Sequence, residues 1–296
     1  MTKAKRMREL LNGDELIVSP GVFDGYSVRL VEQAGFKTAS TSGAAVSNSR
    51  FGQPDVGIMG MLDNAQAVAH LARSVSIPLM ADADTGYGNA VTVHHAVQYF
   101  EEAGVVGVNL EDQVWPKRCG HMEGKQVIAA EEMAKKLEAA CNARRDDDFV
   151  IVARTDAIAI GGIEEAVRRA KLYEAAGADV LFPDAVRGED DIKALRDAID
   201  IPITVNMGFG IRSRPTTPLI PLPRLSELGV KRVSLPRMLP AAAMHAMRQA
   251  LTLMKQSVET GETIDRPDLL FGIEDIMELM DYPKIRELET RYTTDA

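Results

Sequence analysis

One phrase recurs along the chain and limits what it can fold into. A helix-like stretch ends in Ala-Gly or Leu-Gly, and a short apolar run follows. The copies are Ala34-Gly35-Phe36, Ala103-Gly104-Val105, Ala176-Gly177-Ala178 and Leu228-Gly229-Val230. Glycine suits the first position beyond a helix, where the backbone turns left-handed. A second phrase, Ile77-Pro78 and Ile201-Pro202, opens two of the apolar runs; proline is tolerated as a first strand residue. Strands read at 16–20, 37–42, 78–83, 105–111, 149–154, 179–183, 202–206 and 231–235. Helical patterns lie near 25–34, 63–75, 91–103, 130–145, 162–176, 188–199, 222–228 and 240–258. Alternating strands and helices imply a parallel sheet with right-handed crossovers. Eight such units within 296 residues imply an α/β fold of the (β/α)8 TIM-barrel type. The alternative is an open doubly wound sheet. It is weakened because no Gly-x-Gly-x-x-Gly loop follows the first strand.

Residues 1–260 form the expected catalytic barrel, opened by a basic amphipathic helix over Met1–Leu11 rather than a signal peptide. Residues 261–296 form a C-terminal helical extension of the same domain. Its stripe of Ile273, Ile276, Met277, Met280, Ile285 and Leu288 must be covered by a neighbouring subunit or by its own barrel. The methionines of 237–254 read as outer-ring core. The chain has no run of eighteen apolar residues, so no membrane span is expected. A net charge of −9 argues against nucleic acid, which needs a basic face. Two cysteines far apart make no disulfide framework, and a cytoplasmic location is the default.

Barrel enzymes collect their chemistry at the C-terminal ends of strands, so the polar residues there are the candidates. The second strand ends in Thr41-Ser42-Gly43-Ala44-Ala45, which reads as a small-residue loop whose backbone N–H groups suit a carboxylate. The third ends in Asp82-Ala83-Asp84, where strand alternation would point both carboxylates the same way. Glu111 ends the fourth strand, Arg154-Thr155-Asp156 the fifth, Asp184 the sixth and Asn206 the seventh. Carboxylates gathered at one mouth need a cation. An all-oxygen set favours Mg²⁺, or Mn²⁺, over zinc. Arg154 suits bidentate carboxylate recognition; an internal ion pair with Glu111 or Asp184 is the competing reading. After the fourth strand, Lys117-Arg118-Cys119-Gly120-His121 sets a thiol among two cations and an imidazole, and a thiol reacts when its surroundings favour the thiolate. Cys141 and His70, His94, His95 and His245 fall in helical patterns and read as packing or surface residues.

Over nearly its whole length the chain resembles the isocitrate lyase and phosphoenolpyruvate mutase superfamily. The resemblance rests on Pro20-Gly21-Val22-Phe23-Asp24, Gly52-Gln53-Pro54-Asp55, Asp82-Ala83-Asp84-Thr85-Gly86-Tyr87-Gly88, Leu110-Glu111-Asp112-Gln113, the Lys117–His121 motif and Ala153-Arg154-Thr155-Asp156. It implies Mg²⁺ at Asp84, with Asp82 and Glu111 ligating directly or through water. Ser42, Gly43, Ala44 and Arg154 would bind the substrate carboxylate, and Asp55 with the 116–125 loop would form a closing gate. It further implies Cys119 as the general acid, with Lys117, His121 and Arg154 in the catalytic group and Asn206 against the substrate. Homotetramers that exchange the C-terminal helical segment are also implied. The Lys117–His121 motif resembles the carbon–carbon lyase branches, and Gln113-Val114-Trp115-Pro116-Lys117 the alkylmalate and dimethylmalate branch. That branch cleaves a 2-hydroxy dicarboxylate to a 2-oxo acid, such as pyruvate, and a carboxylic acid. Four positions depart from the tricarboxylate lyases: Ser40 for tyrosine, Asn109 for histidine, Asp184 for glutamate, and a loop with Arg212 and Arg214 where a glutamate usually follows Asn206. The alternatives are methylisocitrate lyase, oxaloacetate hydrolase or decarboxylase, a carboxyphosphonoenolpyruvate phosphonomutase-like enzyme, and a barrel without catalysis.

Overall fold

The computed structural model describes residues 1–293 apart from His121, Glu123 and Pro215. In chain order the elements are α1 (Lys3–Asn12), β1 (Ile17–Val22), α2 (Gly25–Gln33), β2 (Ala39–Thr41), α3 (Gly43–Phe51), α4 (Met61–Ser74), β3 (Leu79–Asp82), α5 (Ala90–Glu102), β4 (Gly107–Glu111), α6 (Ala130–Ala143), β5 (Val150–Thr155), α7 (Ile158–Ala175), β6 (Val180–Pro183), α8 (Glu189–Arg196), β7 (Ile203–Asn206), α9 (Leu222–Glu227), β8 (Val230–Leu235), α10 (Met238–Thr260), α11 (Ile273–Leu279) and α12 (Tyr282–Tyr292). The eight strands are parallel and close in the order β1 to β8, with β8 pairing back onto β1. The (β/α)8 barrel expected from the alternation is the observed fold.

The chain divides into two compact units, the first ending at Leu239 and the second beginning at Pro240. In the first, the recurring glycines act as helix stops: Gly35, Gly104, Gly177 and Gly229 all have φ between 80° and 97°. Strand alternation then sorts the side chains. Leu79, Val108, Ile151, Leu181, Val205 and Val233 face outward into a continuous core with Val28, Val68, Phe100, Leu137, Tyr173 and Leu195 of the surrounding helices. Met80, Val150, Val152, Val180 and Phe182 lie on the other strand face and cluster with Met7 and Leu11 of α1. Burying a large aliphatic or aromatic side chain contributes about 1.5–3 kcal/mol, so α1 is an apolar plug at the N-terminal end of the barrel. Its N-cap is Thr2, whose side chain accepts from the Lys5 N–H.

In the second unit, no residue of α10 is buried. Met244, Met247, Leu251, Met254 and Val258 are all more than half exposed and follow a three-four spacing down one side. The reading of the 237–254 methionines as outer-ring core holds for Met238, which packs against the barrel core, and is corrected for Met244, Met247 and Met254, which are exposed. Ile273, Met277, Ile285 and Leu288 are likewise exposed, while Leu279 is buried. No described helix is long and apolar enough to cross a membrane.

Candidate active site

The parity that sends Leu79, Leu110 and Ala153 outward brings Asp82, Glu111 and Arg154 to the inner face, and Asp184 and Asn206 follow the same parity on their strands. Asp84 arrives differently. β3 ends at Asp82, and Asp84 sits in a left-handed turn at φ 48°, a conformation that non-glycine residues rarely adopt. Its N–H donates to Asp82 Oδ1 at 3.3 Å. The two aspartates thus converge through a turn, not through the strand alternation expected from the sequence.

Ser42 to Ala45 were expected as a loop but open a helix. Ser42 caps α3, its hydroxyl accepting from the Ala45 N–H at 3.2 Å. The cradle is therefore a helix N-terminus, where the helix dipole favours an anion. Gly43 N–H donates to Asp82 Oδ2 at 3.3 Å. A Cβ at Gly43 would stand 2.6 Å from that oxygen, so the close approach requires glycine.

Lys117 is buried at the centre of the acidic group, with Nζ 2.5 Å from Asp55 and 2.8 Å from Asp84. Burial alone would pull the ammonium down. Asp84, Glu111, Asp55 and Asp82 outweigh it and hold the lysine well above its ordinary value. Burial pushes Asp84 up to about 6, with Lys117 opposing and Asp82 and Asp55 reinforcing. Burial likewise drives Glu111 well above the carboxylate range, against Arg154 and Lys117. Glu111 touches Arg154 Nη1 at 3.1 Å, yet both of its buried oxygens lack a well-aligned hydrogen-bond donor.

Arg154 is a hub. It pairs with Asp156 (2.9 Å), Glu111 (3.1 Å) and Asp184 (3.3 Å), and lies over the Phe182 ring at 5.3 Å. The internal ion-pair reading of this arginine is thus present. Asn206 donates to Asp184 Oδ1 at 3.3 Å and accepts from the Gly208 N–H at 2.7 Å. Arg214 folds back onto the Asn206 carbonyl and reaches its Oδ1 at 3.4 Å. Arg212 instead lies exposed over Phe209.

The 116–125 loop is fixed across this group. Gln113 holds Arg118 from both sides, at 2.9 and 3.0 Å. Lys125 bonds the Gly120 carbonyl at 2.5 Å and Asp156 at 2.8 Å. A Cβ on Gly120 would stand 2.0 Å from Asp184 Oδ2 and 2.5 Å from Arg154 Nη2, so the loop packs directly on the Arg154–Asp184 pair. Cys119 is partly exposed, and Arg237 Nη2 contacts its Sγ at 3.1 Å. His121, expected to be catalytic, lies outside the described residues. Asp55, Asp82, Asp84, Glu111, Lys117 and Arg154 are linked by contacts or fields, and Ser42 and Gly43 join through Asp82.

Sequence reasoning missed Arg237, Lys125, Gln113 and Asp112. Asp112 is wholly buried and accepts from Thr155 Oγ1 (2.7 Å), Tyr173 OH (2.8 Å), Asp156 N–H (2.9 Å) and Arg169 Nη1 (3.0 Å). Its position next to Glu111 at a strand end was the available signal. Arg237 carried a weaker one, a cation two residues beyond the eighth strand. Cys141 bonds the Gly177 carbonyl at 3.1 Å, in keeping with a packing role.

Three Asp, Glu, His or Cys side chains do not converge as a ready-made metal cage among the described residues. Mg²⁺ seldom needs one, because it binds through one or two carboxylates and keeps several waters. The buried, poorly satisfied oxygens of Glu111 beside Asp84 and Asp82 fit such an ion.

Comparison with known proteins shows the family of the chain. The phosphoenolpyruvate phosphomutase family model matches residues 7–255. A 2,3-dimethylmalate lyase from Eubacterium barkeri is 37% identical over 99% of both chains. A probable 2-methylisocitrate lyase 2 from Corynebacterium glutamicum is 35% identical over 99% of this chain and 94% of its own. Among solved structures, an oxaloacetate acetylhydrolase in complex with the inhibitor 3,3-difluorooxalacetate superposes with TM-score 0.91 at 32% identity, covering 100% and 98%. A phosphonopyruvate hydrolase in complex with oxalate and Mg²⁺ gives 0.86 at 31% identity, covering 99% of each. The chain belongs to the phosphoenolpyruvate phosphomutase family and is a lyase of the isocitrate lyase/PEP mutase superfamily.

Proposed function

We propose that the protein is a Mg²⁺-dependent carbon–carbon lyase of a 2-hydroxy dicarboxylate of the 2-alkylmalate type, 2,3-dimethylmalate among them. The products are a 2-oxo acid such as pyruvate and a saturated carboxylic acid. One observation carries this reading. A single loop buries Lys117 among Asp55 and Asp84 and, two residues on, sets the Cys119 thiol beside Arg237. In this reading the Cys119 thiol is the proton donor to a substrate held between the acids and the α3 N-terminus. The 37% identity to the dimethylmalate lyase supports the substrate class.

Asp84, with Asp82 and Glu111, would hold the Mg²⁺, which when bound supplies a Lewis acid for the hydroxy (or oxo) acid end of the substrate. The α3 N-terminus at Ser42, Gly43 and Ala44 receives the adjoining carboxylate. Asp55 ties the closed loop down through Lys117, and closure excludes water. Cys119 protonates the carbon released when C2–C3 breaks, and Asn206 orients the departing acid. Lys117, Arg154 and His121 complete the catalytic group. The enzyme works in the cytoplasm as a homotetramer with the 261–296 segment exchanged between subunits. The exposed seam of α10 supports that assembly, since apolar stripes need cover.

A second reading is methylisocitrate lyase. The 35% identity over 99% of the chain to a probable 2-methylisocitrate lyase 2 favours it. The test is a substrate panel with Mg²⁺: 2-methylmalate, 2,3-dimethylmalate, 2-methylisocitrate, isocitrate, oxaloacetate and phosphonopyruvate. Pyruvate from the malates alone supports the first reading. Cleavage of 2-methylisocitrate selects the second, and oxaloacetate loss without malate cleavage overturns both.

A further inference from the structure

Three guanidinium groups share one electrostatic neighbourhood: Arg214 feels Arg154, Arg237, Asp184 and Cys119. They are not equivalent. Arg154 is engaged by Asp156, Glu111 and Asp184, and Arg214 is folded onto Asn206. Arg237 has no carboxylate against it among the described contacts; its side chain meets the Cys119 sulfur at 3.1 Å. Its backbone N–H is pinned to the Gly208 carbonyl at 3.1 Å, so the side chain starts from a fixed point just beyond β8. An arginine presents five donors in a planar fork that matches a carboxylate edge-on. A single contact to a thiol leaves most of that fork unused.

We propose that Arg237 binds the carboxylate on the carbon that Cys119 protonates, and stabilises the second negative charge that cleavage places there. The inference rests on the lyase reading for its chemistry. A base takes the 2-hydroxyl proton, C2 becomes a carbonyl, and the C2–C3 electron pair moves to C3 and into its carboxylate. The thiol proton then goes to C3, leaving a thiolate. A carbon receiving a proton from Sγ must lie on the order of 3–3.5 Å from it. Its carboxylate is one bond further, within reach of a guanidinium that already touches the same sulfur. Arg237 therefore meets a monoanion in the bound substrate and a dianion as the bond breaks. Interactions that strengthen toward the transition state raise kcat more than they lower KM. The residue fixes the substrate class further: a hydroxy acid lacking a carboxylate on C3 leaves the fork empty.

The experiment compares wild type, Arg237→Gln and Arg237→Lys. Two fragment probes are used with Mg²⁺: oxalate for the 2-oxo acid half and propionate for the departing acid half, the latter followed by saturation-transfer NMR. Both variants should bind oxalate within about twofold of wild type, which also reports an intact fold. Arg237→Gln should lose propionate binding at least tenfold and kcat on 2,3-dimethylmalate by about 10²–10³-fold, the scale of one lost oxyanion contact. Arg237→Lys should recover part of the kcat, since it restores charge without the fork. Propionate affinity and kcat in Arg237→Gln within threefold of wild type would overturn the proposal, as would a wild type that binds no propionate. A wild type that cleaves no dicarboxylate, while Arg237→Gln still loses propionate, would remove the lyase reading and support the carboxylate site.

Discussion

Replacing Arg232 with methionine should make the protein more stable. Arg232 sits on β8 and is 2% exposed. Its described partner is the Ser40 hydroxyl, two strands away on β2, and its Nε has no acceptor. Burial alone pulls the guanidinium down to about 10, with no neighbouring carboxylate to offset it. A drop of two to three pK units corresponds to about 3 kcal/mol against the charged form in the fold. For a cation whose folded value is depressed, this penalty is at full size below about pH 10 and fades only as pH rises toward the unfolded value. Met keeps the unbranched stem and loses one hydrogen bond, a net of about 1 kcal/mol. Ser40 retains Ser19 as a partner at 2.7 Å. The expected balance is about 2 kcal/mol of stabilisation, within the range seen when buried charges are replaced by apolar side chains. For a chain of this size that raises Tm by about 3 °C. Urea unfolding at fixed protein concentration is the assay, with an unchanged slope and a higher midpoint. A variant destabilised by about 1 kcal/mol or more would refute the reasoning and show that the charge has a counter-ion in solution.

The remaining predictions concern the mouth. Gly120→Ala should leave Tm unchanged and lower kcat on the order of 10²-fold, because its Cβ would stand 2.0 Å from Asp184 Oδ2; full activity would mean that the loop does not close as described. Asp112→Ala should destabilise by about 3–5 kcal/mol, because it removes the buried acceptor shared by Thr155, Tyr173, the Asp156 N–H and Arg169; a urea midpoint equivalent to a loss under about 1 kcal/mol would deny Asp112 its structural role. Asp84, held near 6 by burial, is a carboxylate with a raised folded value, so its contribution to stability is fully present below the unfolded pKa and is lost as pH rises through about 6. The metal-free protein should therefore gain Tm on going from about pH 7.5 to about pH 5.5, while Mg²⁺ affinity measured by calorimetry falls because proton and metal compete. Unchanged Mg²⁺ affinity over that interval would remove Asp84 from the metal site.

The barrel was legible because its signals are local. The Ala-Gly and Leu-Gly helix stops and the strand-opening prolines mark six of the eight strands without any knowledge of partners, and parity then assigns Glu111, Arg154, Asp184 and Asn206 to one mouth. The α3 helix was not legible as such. Gly43-Ala44-Ala45 reads as a small-residue loop, and the Ser42 cap that starts the helix is one side chain. Asp84 was placed correctly for the wrong reason, since a left-handed φ cannot be inferred from an Asp-x-Asp pattern. Arg237 escaped because its meaning depends on contact with Cys119, 118 positions away in sequence. The exposed methionines of α10 misled because an apolar stripe has the same pattern whether it covers its own barrel or awaits another surface.

The charges that make the mouth reactive are also the ones that strain the fold. Asp84 and Glu111 are both pushed upward by burial, and Arg232 is pushed downward one layer beneath. Each shift is a penalty carried by the metal-free protein, and each of the two carboxylate shifts shrinks when a cation sits beside it. Lys117 already does part of this work at 2.8 Å from Asp84, which is why the loop that carries Lys117 and Cys119 gains by lying closed over the acids. Drawing the acids toward a divalent ion would weaken the hold of Asp84 on Lys117 and leave Asp55, at 2.5 Å, as the lysine's stronger partner. Loop closure and metal binding are therefore linked through one ammonium. The apolar plug of Met7 and Leu11 at the opposite end of the barrel supplies stability that does not depend on either. A barrel arranged in this way tolerates charge at one end because the other end is dry.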